Sequence, residues 1–170
     1  MSRHRTKNEM VVVLHNIRSL YNVGSIFRTA DAAGVAKIYL TGITPAPTDR
    51  LGKYRPQLAK VSLGAEKSVP WEKAGSATRL MKTLKHDGYK IFAIEQSKKS
   101  IPYFKLPKSY ILNPKFCLVL GNEVGGLPKS ILKSADKTLE IPMFGRKESL
   151  NVSVAFGIVV YALALGYNKD

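Results

Sequence analysis

The chain is 170 residues and 18.8 kDa, enough for one compact domain and too short for two of ordinary size. Its 45% hydrophobic and 23% charged residues are those of a folded soluble domain, which excludes disordered and fibrous classes. The charge is abnormal: 27 Lys and Arg against 12 Asp and Glu leave +15 and a pI near 10.0, so a polyanionic partner is expected.

Val11-Val12-Val13-Leu14 is apolar on both faces, the pattern of a strand buried beneath helices. Residues 16–22 are turn-prone, and Val23, Ile26, Phe27 and Ala30 then recur at helical spacing until Gly34 ends the helix. Lys37–Thr41 is a second short strand. Residues 42–70 read as one long loop, punctuated by prolines and glycines and carrying Arg50, Lys53, Arg55, Lys60 and Lys67. Residues 71–87 return to helical spacing through Ala74, Ala77, Leu80, Met81 and Leu84, stop at Gly88 and feed a strand over 89–94. A second basic loop, 97–115, holds Lys98, Lys99, Lys105 and Lys108 and leads into a strand over 116–120. Pro128 opens a short helix through Ala135, residues 138–141 form a strand, and a loop from Pro142 reaches a final helix over 151–165.

Strands alternating with helices imply an α/β fold, a mostly parallel sheet with helices on both faces and ligands at the carboxyl ends of its strands. The last helix is apolar nearly all round. Either it is sunk in the core, or its outer stripe meets a second copy.

Several functions are excluded by what is missing. The longest apolar stretch, 154–165, is broken by Gly157 and falls short of the ~20 residues a membrane span needs, so nucleic acid is preferred to a membrane as the anionic partner. The basic start is followed by an apolar run over 10–14 only, too short for a secretory signal. The lone Cys117 sits in an apolar run as a small buried hydrophobe, and a reducing, cytoplasmic setting is expected. No G-x-G-x-x-G follows the first strand, and residues 121–130 carry Leu127 and Pro128 where a phosphate loop would continue to lysine. His4, His15 and His86 have no ligand spacing, so no metal is expected.

What remains is polar residues at strand ends. The first group is Asn16, Arg18, Asn22 and Arg28, where Asn22 reads equally as a helix cap and Arg28 as a solvated cation. The second is Gly121-Asn122-Glu123-Val124-Gly125-Gly126, a turn or a place where backbone approaches a ligand. The third is Ser149-Leu150-Asn151-Val152-Ser153 at the start of the last helix, where Ser149 or Asn151 can serve as a cap.

In order along the chain, NxRSLYNVGSIFRTADAAGV, LVLGNEVGGLP and IPMFGRKESLNVSVAFGIVVYA resemble the three motifs of the SpoU, or TrmH-like, class of SPOUT RNA methyltransferases. The resemblance covers nearly the whole chain and implies a single domain over 1–170 whose C-terminal part is threaded into a trefoil knot, a topology that ordinary connection rules reject. It implies homodimers. It also implies S-adenosylmethionine held by backbone groups at Leu120, Gly121, Ile141, Met143, Ser149 and Leu150, and an active site of Asn22, Arg28, Glu123, Ser149 and Asn151.

The reaction so implied is methyl transfer to a ribose 2′-hydroxyl, for which Arg28 grips the adjacent phosphate and, in family accounts, also takes the proton. Asn22, Ser149 and Asn151 would hold Arg28 and the ribose, and Glu123 would place the cofactor or fix its own turn. Arg18, Arg50, Lys53, Arg55, Lys60, Arg146 and Lys147 are the candidate RNA-binding cations, solvated loop charges being the plainer use. The length leaves no room for an added N-terminal RNA-binding domain, which leans towards transfer RNA over ribosomal RNA. Competing readings are a non-catalytic basic RNA-binding protein and a knotted methyltransferase acting on a base nitrogen.

Overall fold

The computed structural model describes residues 9–166; the basic start of the chain, with His4, lies outside the described residues. Seven strands form one sheet: β1 (Glu9–His15), β2 (Lys37–Thr41), β3 (Trp71–Ala74), β4 (Lys90–Ile94), β5 (Ile101–Pro102), β6 (Lys115–Leu120) and β7 (Lys137–Glu140). Their order is β3-β2-β1-β6-β4-β7-β5, and every neighbouring pair is parallel. Parallel pairing requires crossovers, and the helices that make them cover both faces.

The alternation of strand side chains divides the interior in two. Met10, Val12, Leu14, Phe92, Phe116, Leu118 and Leu120 point to one face, where α1 (Leu20–Ala33) and α7 (Val152–Ala164) supply Ile26, Phe27, Phe156, Val159 and Val160. Val11, Val13, Ile91, Ala93, Cys117 and Val119 point to the other, against Met81 and Leu84 of α4 (Ala77–His86) and Ile131 of α6 (Lys129–Ser134). Removing such side chains from water contributes roughly 1.5–3 kcal/mol each, which is why the runs that look apolar on both sides become the central strands. Burial also pushes the Cys117 thiol well above its ordinary value, as an inert core cysteine requires.

Four expectations need correction. Residues 71–74 are an edge strand beside β2, and α4 begins only after Ser76, whose side chain accepts from the Arg79 amide at 3.3 Å. The long loop over 42–70 contains α2 (Pro56–Ser62), with Pro56 at its first turn, and α3 (Ala65–Ser68). The loop over 97–115 contains β5, a 3-10 turn over Tyr103–Lys105 and α5 (Lys108–Ile111). Finally, α1 starts three residues earlier than its apolar spacing indicated, because Ser19, and not Asn22, caps it by accepting from the Asn22 amide at 3.2 Å. Gly34 ends α1 in the left-handed conformation, as expected.

Helix α7 is sunk in the core along one side, as one of its two expected uses requires. Phe156, Val159, Val160 and Leu163 are buried, while Val154, Tyr161 and Leu165 are exposed along the opposite stripe. Strand β7 lies between β4 and β5, which are consecutive in the chain, so residues 95–100 must cross the carboxyl end of β7. That crossing brings the segments after β1, β4, β6 and β7 to one edge of the sheet.

Candidate active site

The turn after β6 is built by its own side chains. Asn122 Oδ1 accepts from the Val124 and Gly125 amides at 2.8 and 2.9 Å, and Asn122 Nδ2 donates to the Asn16 carbonyl at 2.9 Å, tying the turn to the end of β1. From the other side Glu95 Oε2 accepts from the Leu127 amide at 2.9 Å. Gly121 is required by sterics, since a Cβ there would lie 2.7 Å from the Gly126 carbonyl carbon. Asn16 itself is left-handed, and its Nδ2 lies 3.1 Å from the ring Nε2 of His15; burial lowers the pKa of that imidazole.

Between this turn and the segment after β7 lies a cleft of about 260 Å³. Leu120, Gly121, Ile141, Met143, Ser149 and Leu150, all six residues expected to hold a cofactor, line it, as do Glu123 and Asn151. Apolar side chains (Ile94, Leu120, Leu139, Ile141, Met143, Leu150) and polar ones (Glu95, Gln96, Asn122, Glu123, Glu140, Asn151) share its walls. That lining fits an adenosine-like group with a charged tail: apolar surfaces can enclose the ring, while polar and main-chain groups read its edge.

Glu123 is the hub of the polar rim. Its Oε2 accepts from the Arg18 amide and its Oε1 from the Ser19 amide, each at 3.2 Å, so it satisfies backbone donors at the entrance of α1. Oε1 also accepts from Asn22 Nδ2 at 3.2 Å. Asn22 Oδ1 in turn accepts from Asn151 Nδ2 at 3.0 Å, and Asn151 Oδ1 caps α7 by accepting from the Ser153 amide at 2.8 Å. Partial burial pushes the Glu123 carboxyl up, but the amide hydrogen bonds from its own residue, Arg18, Asn22 and Ser19 outweigh it and hold the group below its ordinary value.

Three residues far apart in sequence, Asn22, Glu123 and Asn151, are thus joined directly. Ser149 lines the same cleft and makes no hydrogen bond to them. Arg28 stands apart: it is exposed on α1, does not line the cleft, and is held neither by Asn22 nor by Asn151, which hold each other. Among the expected RNA-binding cations, Arg18, Arg50, Lys53 and Lys60 are exposed, and Arg55 is tied by Nε to the Ala46 carbonyl at 3.1 Å. Arg146 and Lys147 line a shallow depression that adjoins the cleft through Ile141 and Met143.

Sequence reasoning missed Glu95 and Gln96. Both line the cleft, Glu95 braces the turn after β6, and Gln96 Nε2 donates to the Glu148 carbonyl at 2.8 Å. The available signal was a polar pair directly after an apolar strand, the same signal that drew attention to residues 121–126. Among the described residues no group of three or more His, Cys, Asp or Glu is placed to hold a metal, and no helix is long and apolar enough to cross a membrane.

A parallel α/β sheet with a cleft at its carboxyl edge places a ligand site where such sheets carry them. Residues 9–161 match the model of the SpoU rRNA Methylase family, and the chain belongs to that family. It is 31% identical over 157 residues to the tRNA (guanosine(18)-2'-O)-methyltransferase of Aquifex aeolicus, covering 92% of this chain and 69% of that protein. It is 33% identical over 152 residues to the 23S rRNA (guanosine-2'-O-)-methyltransferase RlmB of Neisseria meningitidis, covering 89% of this chain and 56% of that one. The AdoMet-bound rRNA methyltransferase from Sinorhizobium meliloti superposes with a TM-score of 0.83 at 27% identity, covering 98% of this chain and 60% of that structure. The chain therefore spans little more than half the length of two of these relatives.

Proposed function

We propose that this protein is an S-adenosylmethionine-dependent RNA methyltransferase acting on a ribose 2′-hydroxyl, with transfer RNA favoured over ribosomal RNA. The observation that carries the reading is the hydrogen-bonded chain Glu123–Asn22–Asn151, which joins all three motif segments at the rim of a cleft suited to the donor. Relatives named for tRNA and for rRNA 2′-O-methylation support it.

When bound, S-adenosylmethionine supplies an electrophilic methyl on a sulfonium that leaves as a neutral thioether. Leu120, Gly121, Ile141, Met143, Ser149 and Leu150 hold it with main-chain groups and exclude water. The remaining difficulty is placing a weakly acidic hydroxyl in line, which is a task of aim and charge. Asn22 and Asn151 present amide groups to the ribose, and Glu123 fixes the position of Asn22. Arg28 grips the neighbouring phosphate with its planar fork and favours the developing oxyanion by its charge, and the hydroxyl proton leaves to solvent as the oxygen takes the methyl.

Arg28 reaches such a site from a second copy of the chain. Val154, Tyr161 and Leu165 form an apolar, exposed stripe along α7 and just past its end, with Ile158 half-buried between them, and the neighbouring α1 carries Arg28, so this face suits a homodimer. The trefoil knot belongs to the same proposal, supported by the crossing of residues 95–100 over β7 and by the bond from Gln96 to Glu148.

The test is calorimetry with S-adenosylmethionine together with transfer of labelled methyl to bulk transfer and ribosomal RNA. Heat of binding and label recovered in a 2′-O-methylated nucleoside of transfer RNA are expected. RNA binding without donor heat would leave a non-catalytic binder, and label on a base nitrogen would reassign the acceptor.

A further inference from the structure

Phe144 is 95% exposed, more than any other large apolar side chain among the described residues. No other ring and no cation lies against it among those residues. Its position is specific. Met143 before it lines the cleft, while Gly145, Arg146 and Lys147 after it line the adjoining depression. Arg146 and Lys147 are exposed and in no ion pair among the described residues; of the two carboxylates that line the depression, Glu140 is engaged by Ser100 Oγ and Glu148 is exposed. The space beside the ring is open, since a Cβ added at Gly145 would meet nothing within 4 Å.

An aromatic face between a donor cleft and two unpaired cations matches the parts of a nucleotide. A base offers a π-face of any sequence, its sugar carries the 2′-oxygen, and its phosphates carry the charge. We propose that Phe144 is the platform on which the base of the acceptor nucleotide stacks, with Arg146 and Lys147 holding the flanking phosphates. This rests on the methyltransferase reading. The stacking positions the sugar over the cleft, and because every base stacks, it contributes affinity and register without base identity.

The test measures anisotropy of a fluorescently labelled pool of unmodified transfer RNA transcripts across a salt series, with donor calorimetry and sedimentation in parallel. Phe144→Ala is expected to weaken RNA binding about tenfold with the salt slope unchanged, because stacking releases no counterions. Arg146→Ala and Lys147→Ala are each expected to lower that slope by roughly 0.7–0.9. Phe144→Tyr and Phe144→Trp retain affinity, Phe144→Leu does not, and donor heat is unchanged in all. Wild-type affinity in Phe144→Ala or in Phe144→Leu overturns the proposal while leaving the function intact, as does a change of oligomeric state in Phe144→Ala. Failure of the wild-type protein to bind RNA or donor overturns the reading beneath it.

Discussion

Glu123 fixes the entrance of α1 through charge. A carboxylate accepting two backbone amides and one side-chain amide at 3.2 Å favours its ionised form, and that preference returns as stability. Because its folded value is depressed, the contribution is complete above the ordinary value of 4.5 and is lost as pH falls through the lower, folded one. Glu123→Gln keeps the shape and removes the charge. The side chain is exposed, so solvent screening limits the loss at pH 7 to about 1 kcal/mol. Urea unfolding of the two proteins is expected to differ by that amount at neutral pH and to converge in acid; a difference that persists there would mean that shape, not charge, is what counts. Arg28 poses the complementary case, since its exposed side chain makes no hydrogen bond or ion pair among the described residues. Arg28→Lys preserves the charge and loses the fork, so melting and donor heat should match wild type while methyl transfer falls by about 100-fold, the scale of a misplaced acceptor. Retained turnover would remove Arg28 from the active site.

The turn after β6 shows how much the strand ends demand of single positions. Gly121→Ala would drive a Cβ to within 2.7 Å of backbone at Gly126, and backbone cannot step aside as a side-chain end does. Calorimetry should find donor binding abolished, with stability lowered by about 1–3 kcal/mol in urea; normal donor affinity would mean that this turn is not a wall of the binding site. Gly121 was legible as a place of close approach because it follows five buried residues, Phe116 to Leu120, that could only be a strand. The central strands and α1 were legible for the same reason, a periodicity imposed by burial. Residues 71–74 were not, because a four-residue edge strand has Trp71 and Ala74 half-buried with two exposed residues between them, and Ala74 happens to fall in phase with Ala77 and Met81 of the helix that follows. Helices α2 and α3 were hidden by the prolines and glycines around them, although Gly24 of α1 accommodates α2 so closely that a Cβ would lie 2.7 Å from the Leu58 carbonyl oxygen. The cleft was legible only through family resemblance. Its lining comes from segments scattered along the chain, and the bond that joins Asn22 to Asn151 spans 129 positions, beyond the reach of any local pattern.

At the scale of the whole molecule, one face of α7 closes the core and the other is partly exposed among the described residues. Val154 and Tyr161 are 49% and 42% exposed, and with Ile158 and Leu165 they recur at intervals of three and four residues, a continuous apolar ridge next to α1. In a protein of charge +15, self-repulsion opposes association, so a dimer on this ridge would need enough apolar burial to overcome it, and screening by salt should favour such a dimer while weakening RNA binding. These opposite salt responses separate the two interactions. Tyr161→Glu places a carboxylate in the ridge without touching the core, so the folded chain should change in stability by no more than about 0.5 kcal/mol. Sedimentation is expected to find a folded monomer, and methyl transfer should fall with the dimer, because Arg28 then has no cleft to reach. Arg28→Lys and Tyr161→Glu chains, each inactive alone, should recover activity when driven into mixed dimers at high concentration, because the Arg28 of the Tyr161→Glu chain then reaches the intact cleft of its partner. A Tyr161→Glu monomer with full activity would show that Arg28 serves the cleft of its own chain.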